Sequence, residues 1–475
     1  MLAGLARTKV LAVMLGPAGV GVAGVIDQAV SLVAQLGSLS APFVALKYLS
    51  RVRDGASEEL RRIYTALVLV VVLASTVSAA VATALALWQP GIFGDGLVPY
   101  RTAVAVALLG VPPFALAPLF RNVMAALERH RESALAAFVA ALLTVGGAYV
   151  GVRVGGLVGL YVANAVVTII TIVGMYVYLA RALGLRAATD TRRADAARAL
   201  RSQPGLATFA GAMYVLALTS PLAYLFARST LLSSRGAIEA GWVAAAYGLA
   251  VSVRLVLNQA NGLYLTPLVN RNTPKPERTA AVAEYLRILV VLVVLSMLAI
   301  ALFPGQWLAV LYSTKFLDAV PFVMFFLLAE GVLLVAGVYQ ALLIGFDDIS
   351  GFLASTVAGH LVTIALARWL VPSTGGVGVA VAFLAGNTLI LITTAVRLLR
   401  AHDGRAVFAP LLPLSIALAA TGAAGWWAAS PPAPAIGVKG AAYVAALALG
   451  LVFLRPDERT WLMRPWRPAA TRRVP

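Results

Sequence analysis

Long uninterrupted apolar runs recur along nearly the whole of this 475-residue chain. A helix rises 1.5 Å per residue, so the about 20 apolar residues of a typical run match the roughly 30 Å hydrocarbon core of a bilayer. A soluble domain has no use for such runs, and soluble chains carry about 25% charged residues. Here 61% of residues are hydrophobic and only 12% are charged. The runs are continuous, not alternating with period two, which favours helices over a β-barrel. The chain therefore reads as an all-α polytopic membrane protein.

Taken in order, the opening Met1–Gly16 is short and carries Arg7 and Lys9, so it reads as the end of a span. Gly19–Leu46, Ala66–Trp88, Thr102–Ala126, Ala134–Val152 and Leu157–Leu179 complete a first set of six. A second six follows at Leu206–Leu232, Trp242–Val269, Leu286–Phe303, Val320–Leu343, Phe352–Leu370 and Val377–Val396. Leu411–Trp427 and Ala441–Leu454 form a further pair, which gives about 14 transmembrane helices. The expected organisation is an N-terminal six-helix bundle over 1–180, a basic linker at 181–204, and a second six-helix bundle over 205–396. A helix pair at 397–455 and a basic tail at 456–475 complete the chain.

The net charge of +18 is a topology signal before it is a nucleic-acid signal. With the spans numbered one to fourteen, connections on one face plus the tail hold 26 Lys and Arg, and the opposite face holds six. Cytoplasmic loops collect such residues, so both termini are expected in the cytoplasm and no nucleic-acid partner is needed. The chain has no cysteine, which removes disulfides, thiol catalysis and cysteine-ligated metals. No GK[ST] phosphate loop, metal-ligand spacing or clustered acidic site occurs, so neither enzyme chemistry nor a cofactor is expected. The start of the chain lacks the polar flank and small-residue cleavage site of a signal peptide.

An internal repeat is also expected. Gly156-Leu-Val-Gly159-Leu-Tyr-Val-Ala163 matches Gly375-Gly-Val-Gly378-Val-Ala-Val-Ala382 at an offset of 219 residues, and Gly21 and Gly241 are offset by 220. Six spans return the chain to the same side, so two such halves would be related by an axis along the membrane normal.

Charges inside the runs are the candidate site. Arg254 falls near mid-depth, where an arginine costs about 2.5–3.5 kcal/mol on insertion scales and normally faces a protein interior or a wet cavity. Arg228 lies toward the outer end of the preceding span, and Arg121 and Lys47 lie at inner ends. Together they would form a ladder of cations for an anionic head group, since a guanidinium presents two parallel donors to phosphate. Snorkelling is the competing reading for Arg228, Arg121 and Lys47. Glu330 is also at mid-depth, and Asp27 is in the outer half of the second span. Either could couple transport to an ion or serve as an arginine's partner. Asn258 and Asn261 share a face with Arg254 and could read sugar hydroxyls, although interhelical hydrogen bonding is the commoner use. His360 reads as packing, and prolines in Thr102–Ala126 and at Pro221 mark helices that can bend.

Three segments carry a family resemblance. LAVMLGPAGVGVAGVIDQAVSLVAQLGSLSAPFVALKYLS resembles the start of Wzx-type oligosaccharide flippases, members of the multidrug/oligosaccharidyl-lipid/polysaccharide exporter superfamily, in which an LGPxxxG turn joins the first two spans. LAYLFARSTLLSSRGAIEAGWVAAAYGLAVSVRLVLNQANGLYLTPLV is similar to the seventh and eighth spans of their O-antigen and enterobacterial-common-antigen translocases. LAVLYSTKFLDAVPFVMFFLLAEGVLLVAGVYQALLIG resembles the ninth-to-tenth loop and tenth span.

The resemblance implies a MATE-like pair of bundles around a cationic cavity in the bacterial cytoplasmic membrane. Its cargo would be a polyprenyl-pyrophosphate-linked glycan, specifically an undecaprenyl-pyrophosphate oligosaccharide for O-antigen, capsule or exopolysaccharide. Coupling to an ion gradient and association with a polymerase and other assembly proteins are implied too, and Arg228 and Arg254 would line the cavity. Relatives carry about half a helix more before the LGP turn, so the first span is expected to be truncated. Two other readings are a multidrug exporter, for which acidic and aromatic pockets would be expected, and a non-catalytic scaffold of a polysaccharide assembly complex.

Overall fold

The computed structural model describes residues 2–50, 57–182, 184, 198, 200, 202–203, 205–269, 274–402, 411–429 and 435–453. Most of the basic linker and all of the tail at 456–475 lie outside the described residues. The helices of the first half are α1 (Leu2–Ser38), α2 (Ser57–Trp88), α3 (Arg101–Leu109), α4 (Val111–Ala126) and α5 (His130–Ala182). Those of the second half are α6 (Leu206–Arg235), α7 (Ala237–Ala260), α8 (Lys275–Leu302), α9 (Pro304–Leu311), α10 (Val320–Gly345), α11 (Ile349–Thr374) and α12 (Gly376–His402). The pair α13 (Leu411–Ala429) and α14 (Ile436–Phe453) follows.

Among the described residues nine helices are long and apolar enough to cross a membrane, or up to ten with the bent pair α3 and α4 taken as one span. Two of the long helices are interrupted. α5 has 53 residues, about 80 Å if straight, and it breaks at Gly155 and Gly156. Beyond the break it doubles back: Gly151 packs on the Gly159 carbonyl, and a Cβ at Gly147 would meet Ala163 and Val167. α1 breaks at Gly16, whose φ of 65° suits glycine because it has no Cβ to clash. Pro17 follows at the first position of the next helix, where its missing N–H costs nothing.

The helices extend past the apolar runs. α2 starts at Ser57, not Ala66, because Glu58 pairs with Arg62 one turn on and carries the helix into the polar zone. Likewise α7 starts at Ala237, not Trp242. It runs on through a π-turn at Asn261–Leu265 and a short helix at Thr266–Val269. Hydropathy marks the hydrocarbon core; hydrogen bonding sets where a helix ends.

Two turns of matched backbone support the internal repeat. Gly156 (φ 57°, ψ −134°) and Gly375 (φ 60°, ψ −133°) adopt one conformation 219 residues apart. Glu128 (φ 57°) and Asp347 (φ 59°) do the same. Each closes its turn identically, with Arg129 N–H donating to Met124 O and Asp348 N–H to Leu343 O, both at 2.8 Å. Short 3-10 helices at Asp95–Tyr100 and Thr314–Ala319 keep the offset, burying Leu97 and Phe316 alike.

The halves meet in one continuous apolar core that takes residues from α1 and α3 as well as from α6, α7, α8, α10 and α12. At the end that carries Gly16, Gly156, Gly236 and Gly375, here the arginine-poor end, Gly21 packs directly on Gly241. The opposite, arginine-rich end has a separate core in the first half, built around Tyr48, Tyr64, Phe120 and Met124.

Candidate functional site

The centre of the second half is charged. Arg254 comes near the middle of the helical stretch that begins at Ala237 and ends at Val269, and Glu330 near the middle of α10. Arg254 Nε donates to Glu330 Oε2 at 2.5 Å, with Glu330 only 3% exposed and Arg254 26% exposed. Neither charge could remain in this position alone without great cost, and pairing offsets much of the desolvation. The contrast in exposure gives the pair a direction. The carboxylate faces protein, while the arginine side chain is part-exposed.

Four rings pack around this pair. Tyr224 of α6 stacks on Phe383 of α12 at 4.6 Å between centroids, and Tyr247 of α7 meets Tyr224, Phe326 and Phe383 at 5.4, 5.5 and 5.9 Å. Phe326 precedes Glu330 by one helical turn on α10. The rings lower the local dielectric, which strengthens the ion pair, and their faces are negative enough to hold a cation. Arg228 uses that face: its guanidinium carbon lies 4.8 Å from the Tyr247 centroid, and its Nη1 donates to Gly24 O at 3.4 Å in the first half. Thus Arg228, Arg254 and Glu330 belong to one neighbourhood, joined by Tyr247.

The other expected site residues lie elsewhere. Lys47 stands over the Phe209 ring at 4.0 Å, toward the arginine-rich end. Arg121 is exposed on α4, and the adjacent Asn122 donates to Pro42 O at 2.9 Å. Asp27 is in the first half, where Tyr161 lies 3.1 Å from it and Arg7 3.9 Å away. Asn261 Nδ2 donates to Asn258 Oδ1 at 3.4 Å, and the Tyr285 hydroxyl of α8 donates to Asn261 Oδ1. The first of these bonds stays within one helical stretch, and the second joins α7's continuation to α8. His360 Nδ1 is 3.1 Å from Thr219 Oγ1 of α6, a packed and hydrogen-bonded position.

Two features escaped sequence reading. One is the aromatic cluster, whose members are spread over Tyr224 to Phe383 and share no local spacing. The other is a polar knot at the arginine-rich end. Asp348 caps α11 through the Gly351 N–H and accepts from Arg397 Nε at 2.7 Å and Nη2 at 3.2 Å, with His402 Nε2 at 3.0 Å. The Arg397 hydrogen bonds hold the Asp348 carboxyl well below the usual carboxylate range, helped by His402 and the Gly351 N–H against the opposing effect of burial. The Asp-x-Ser-Gly start of α11 was a legible capping signal; its arginine, 49 residues on, was not. Among the described residues no three His, Cys, Asp or Glu side chains are grouped to hold a metal ion.

No family model matches the chain. Among curated proteins it is 23% identical over 383 residues to the lipid III flippase of Escherichia coli (strain K12), covering 81% of this chain and 91% of that protein. The lipid III flippase of Shigella flexneri matches to the same extent. Among solved structures, the lipid II flippase MurJ in an inward closed conformation aligns at TM-score 0.65 and 12% identity over 97% of each chain. An inward-facing multidrug resistance MATE family transporter of the MOP superfamily aligns at 0.58 and 13% identity, covering 88% of this chain and 94% of that one. The fold is therefore the one shared by MATE transporters and MurJ, in an almost wholly helical, multi-pass membrane protein.

Proposed function

We propose that this chain is a flippase for a lipid-linked oligosaccharide, of the Wzx type, working by alternating access of residues 1–180 against 205–396. The observation that carries the reading is Arg254, a guanidinium held at mid-depth, part-exposed and positioned by Glu330. A fixed cation at that depth suits an anionic pyrophosphate with its attached glycan, because fork-shaped donors bind phosphate oxygens in pairs. The similarity to lipid III flippases over most of both chains supports the same class of cargo. On this reading fourteen spans cross the bacterial cytoplasmic membrane. The arginine-rich end is cytoplasmic with both termini, and the cargo is an undecaprenyl-pyrophosphate oligosaccharide for O-antigen, capsule or exopolysaccharide. Arg228, Arg121 and Lys47 assist the head group along its path, and Glu330 and Asp27 are the candidates for ion coupling. A polymerase would take up the product at the outer face.

A drug exporter of the same fold would instead need an unpaired carboxylate for its cationic cargo, whereas here the central carboxylate is committed to an arginine. The deciding experiment reconstitutes the protein in vesicles with a radiolabelled polyprenyl-pyrophosphate oligosaccharide and follows its protection from an external phosphatase. Translocation that falls at least about tenfold in Arg254→Gln at equal protein level supports the reading, since a lost charged contact is worth more than 1.4 kcal/mol. Equal rates in vesicles with and without the protein would refute it.

A further inference from the structure

At the arginine-poor end the two halves touch backbone to backbone. A Cβ on Gly21 would lie 2.6 Å from the Gly241 nitrogen, and one on Gly241 would run into the Pro17 backbone. The Gly96 N–H donates to Ser233 Oγ at 3.1 Å, and Lys9 Nζ donates to Ala309 O at 3.1 Å. All of these contacts cross between the halves and close that end of the molecule.

Arg228, like Lys9, is a cation that reaches across this seam. It sits on α6 of the second half, its guanidinium rests on Tyr247 of the same half, and its Nη1 crosses to the Gly24 carbonyl of the first. That crossing bond is weak by its own geometry, because 3.4 Å is long for N–H···O and the acceptor is neutral. A phosphate oxygen in its place would give a shorter bond between two ionised groups, and its neighbouring oxygens could take a second guanidinium donor in parallel. Tyr247 links Arg228 to the Arg254 neighbourhood, so an anion moving outward from Arg254 next meets a guanidinium that is holding the seam.

We propose that Arg228 is a cargo-released latch: its bond to Gly24 O is the contact of this seam that an anion can take over, and an anionic head group of the pyrophosphate class shifts that end toward opening by taking the guanidinium. Arg228 is then a positioning residue for gate opening as well as a contact for cargo. The consequence is selective. An empty carrier stays closed at this end, and a neutral or cationic molecule in the cavity leaves it closed. The inference rests on the flippase reading and adds to it a condition on when the gate moves.

The chain has no cysteine, so engineered pairs report without background. A Cβ on Gly24 would stand 3.6 Å from the Ala244 Cβ, inside the span of roughly 3.5–4.5 Å that a disulfide requires, and 3.4 Å from Arg228 Nη1, so the single Ala244→Cys, which leaves Gly24 intact, is the controlling readout. The test is the rate of oxidative cross-linking of Gly24→Cys/Ala244→Cys in the full-length purified protein, with inorganic pyrophosphate against chloride at matched ionic strength. Formation of the bond shows that the helices are folded and in contact; maleimide labelling of a single Ala244→Cys gives a second reading of the same seam.

Pyrophosphate is expected to slow cross-linking and speed labelling by about fivefold, the order of shift for a guanidinium that exchanges a neutral acceptor for an anionic one. Adding Arg228→Gln is expected to abolish that response. The latch is overturned if pyrophosphate leaves both rates unchanged, or if the Arg228→Gln protein responds as fully as its parent. Cross-linked protein that still translocates lipid-linked oligosaccharide would overturn the seam as a gate. Failure of the flippase reading is distinct, because then the reduced protein also moves no lipid-linked oligosaccharide.

Discussion

The two halves of this molecule are alike at their turns and unlike at their centres. Gly156 and Gly375 share φ and ψ, Glu128 and Asp347 share a left-handed turn, and the 3-10 helices at Asp95–Tyr100 and Thr314–Ala319 keep the same spacing. Carried through the same offsets, however, Arg254 corresponds to Ala34 and Glu330 to Val111, while Tyr247 corresponds to Asp27 and Phe383 to Asn164. Turn geometry is demanding because a wrong φ strains the backbone at once, so it persists in both copies. Side chains facing the middle of a bundle need only fill space and satisfy their charges, so each half can carry different chemistry there. The first half has Asp27 and the buried Asn164 where the second has rings, and apolar residues where the second has its charged pair.

The difference is broken most severely at the ion pair. Glu330→Ala leaves Arg254 charged, part-buried and unpaired, and the expected loss is about 3–5 kcal/mol, seen as a sharp fall in folded protein by thermal unfolding in detergent. The double change Arg254→Met with Glu330→Leu is expected to recover most of that stability while leaving translocation near background. A double variant that still transports would show that the pair is structural. Both readouts are needed because each separates holding the fold from binding the cargo.

The likeness is sharpened at the turns. Gly156→Ala and Gly375→Ala each force an L-residue to a φ near 60° with ψ near −134°, a strain of about 1–3 kcal/mol. Gly156 has open space around its missing Cβ, whereas Gly375 faces the Glu239 carboxylate, which accepts the neighbouring Gly376 N–H at 2.7 Å. Gly375→Ala is therefore expected to cost about 1 kcal/mol more, measurable as a lower Tm for that variant. Equal losses would mean that the Glu239 contact adds nothing.

The smallest effect is expected at the polar knot, where Asp348 in the second half corresponds to Arg129 in the first. Asp348→Asn removes a charge-assisted contact with Arg397, and because Arg397 is half exposed and screened by solvent the expected loss is only about 0.5–1 kcal/mol at neutral pH. Because the folded carboxyl is held below its ordinary range, its contribution is fully present above about pH 4 and is lost as pH falls through the folded value. The stability gap between parent and variant should not close between pH 7 and about pH 4, where protonation of His402 can only add to it, and should narrow only below that. A gap that closes between pH 7 and pH 5 would assign the effect to another group.

Much of this architecture is written in local pattern. Run length identifies the helices, the proline and glycine pairs mark the breaks at Gly16 and Gly156, and the repeat is visible as matched glycines before any coordinate is known. Arg254 and Glu330 stand out one at a time, since a charge inside an apolar run is anomalous on its own. Their partnership is not visible, because 76 residues separate them and nothing in either run names the other. Asp27 illustrates the same limit: its neighbour Tyr161 looks like any aromatic residue in an apolar helix until it approaches that carboxylate.

The sequence by itself therefore determined that this is a helical membrane protein, where its apolar runs lie, that its glycine turns recur at a fixed offset, and which charged side chains had to be accounted for. Those follow from bilayer thickness, backbone sterics and desolvation, which act on residues close in the chain. Only the tertiary structure decided which carboxylate holds Arg254, that four rings from four helices surround the pair, and that Arg228 reaches across to Gly24. These depend on how the helices cross, and helix crossing is set by side-chain fit over the whole surface of each helix and not by any short stretch of it.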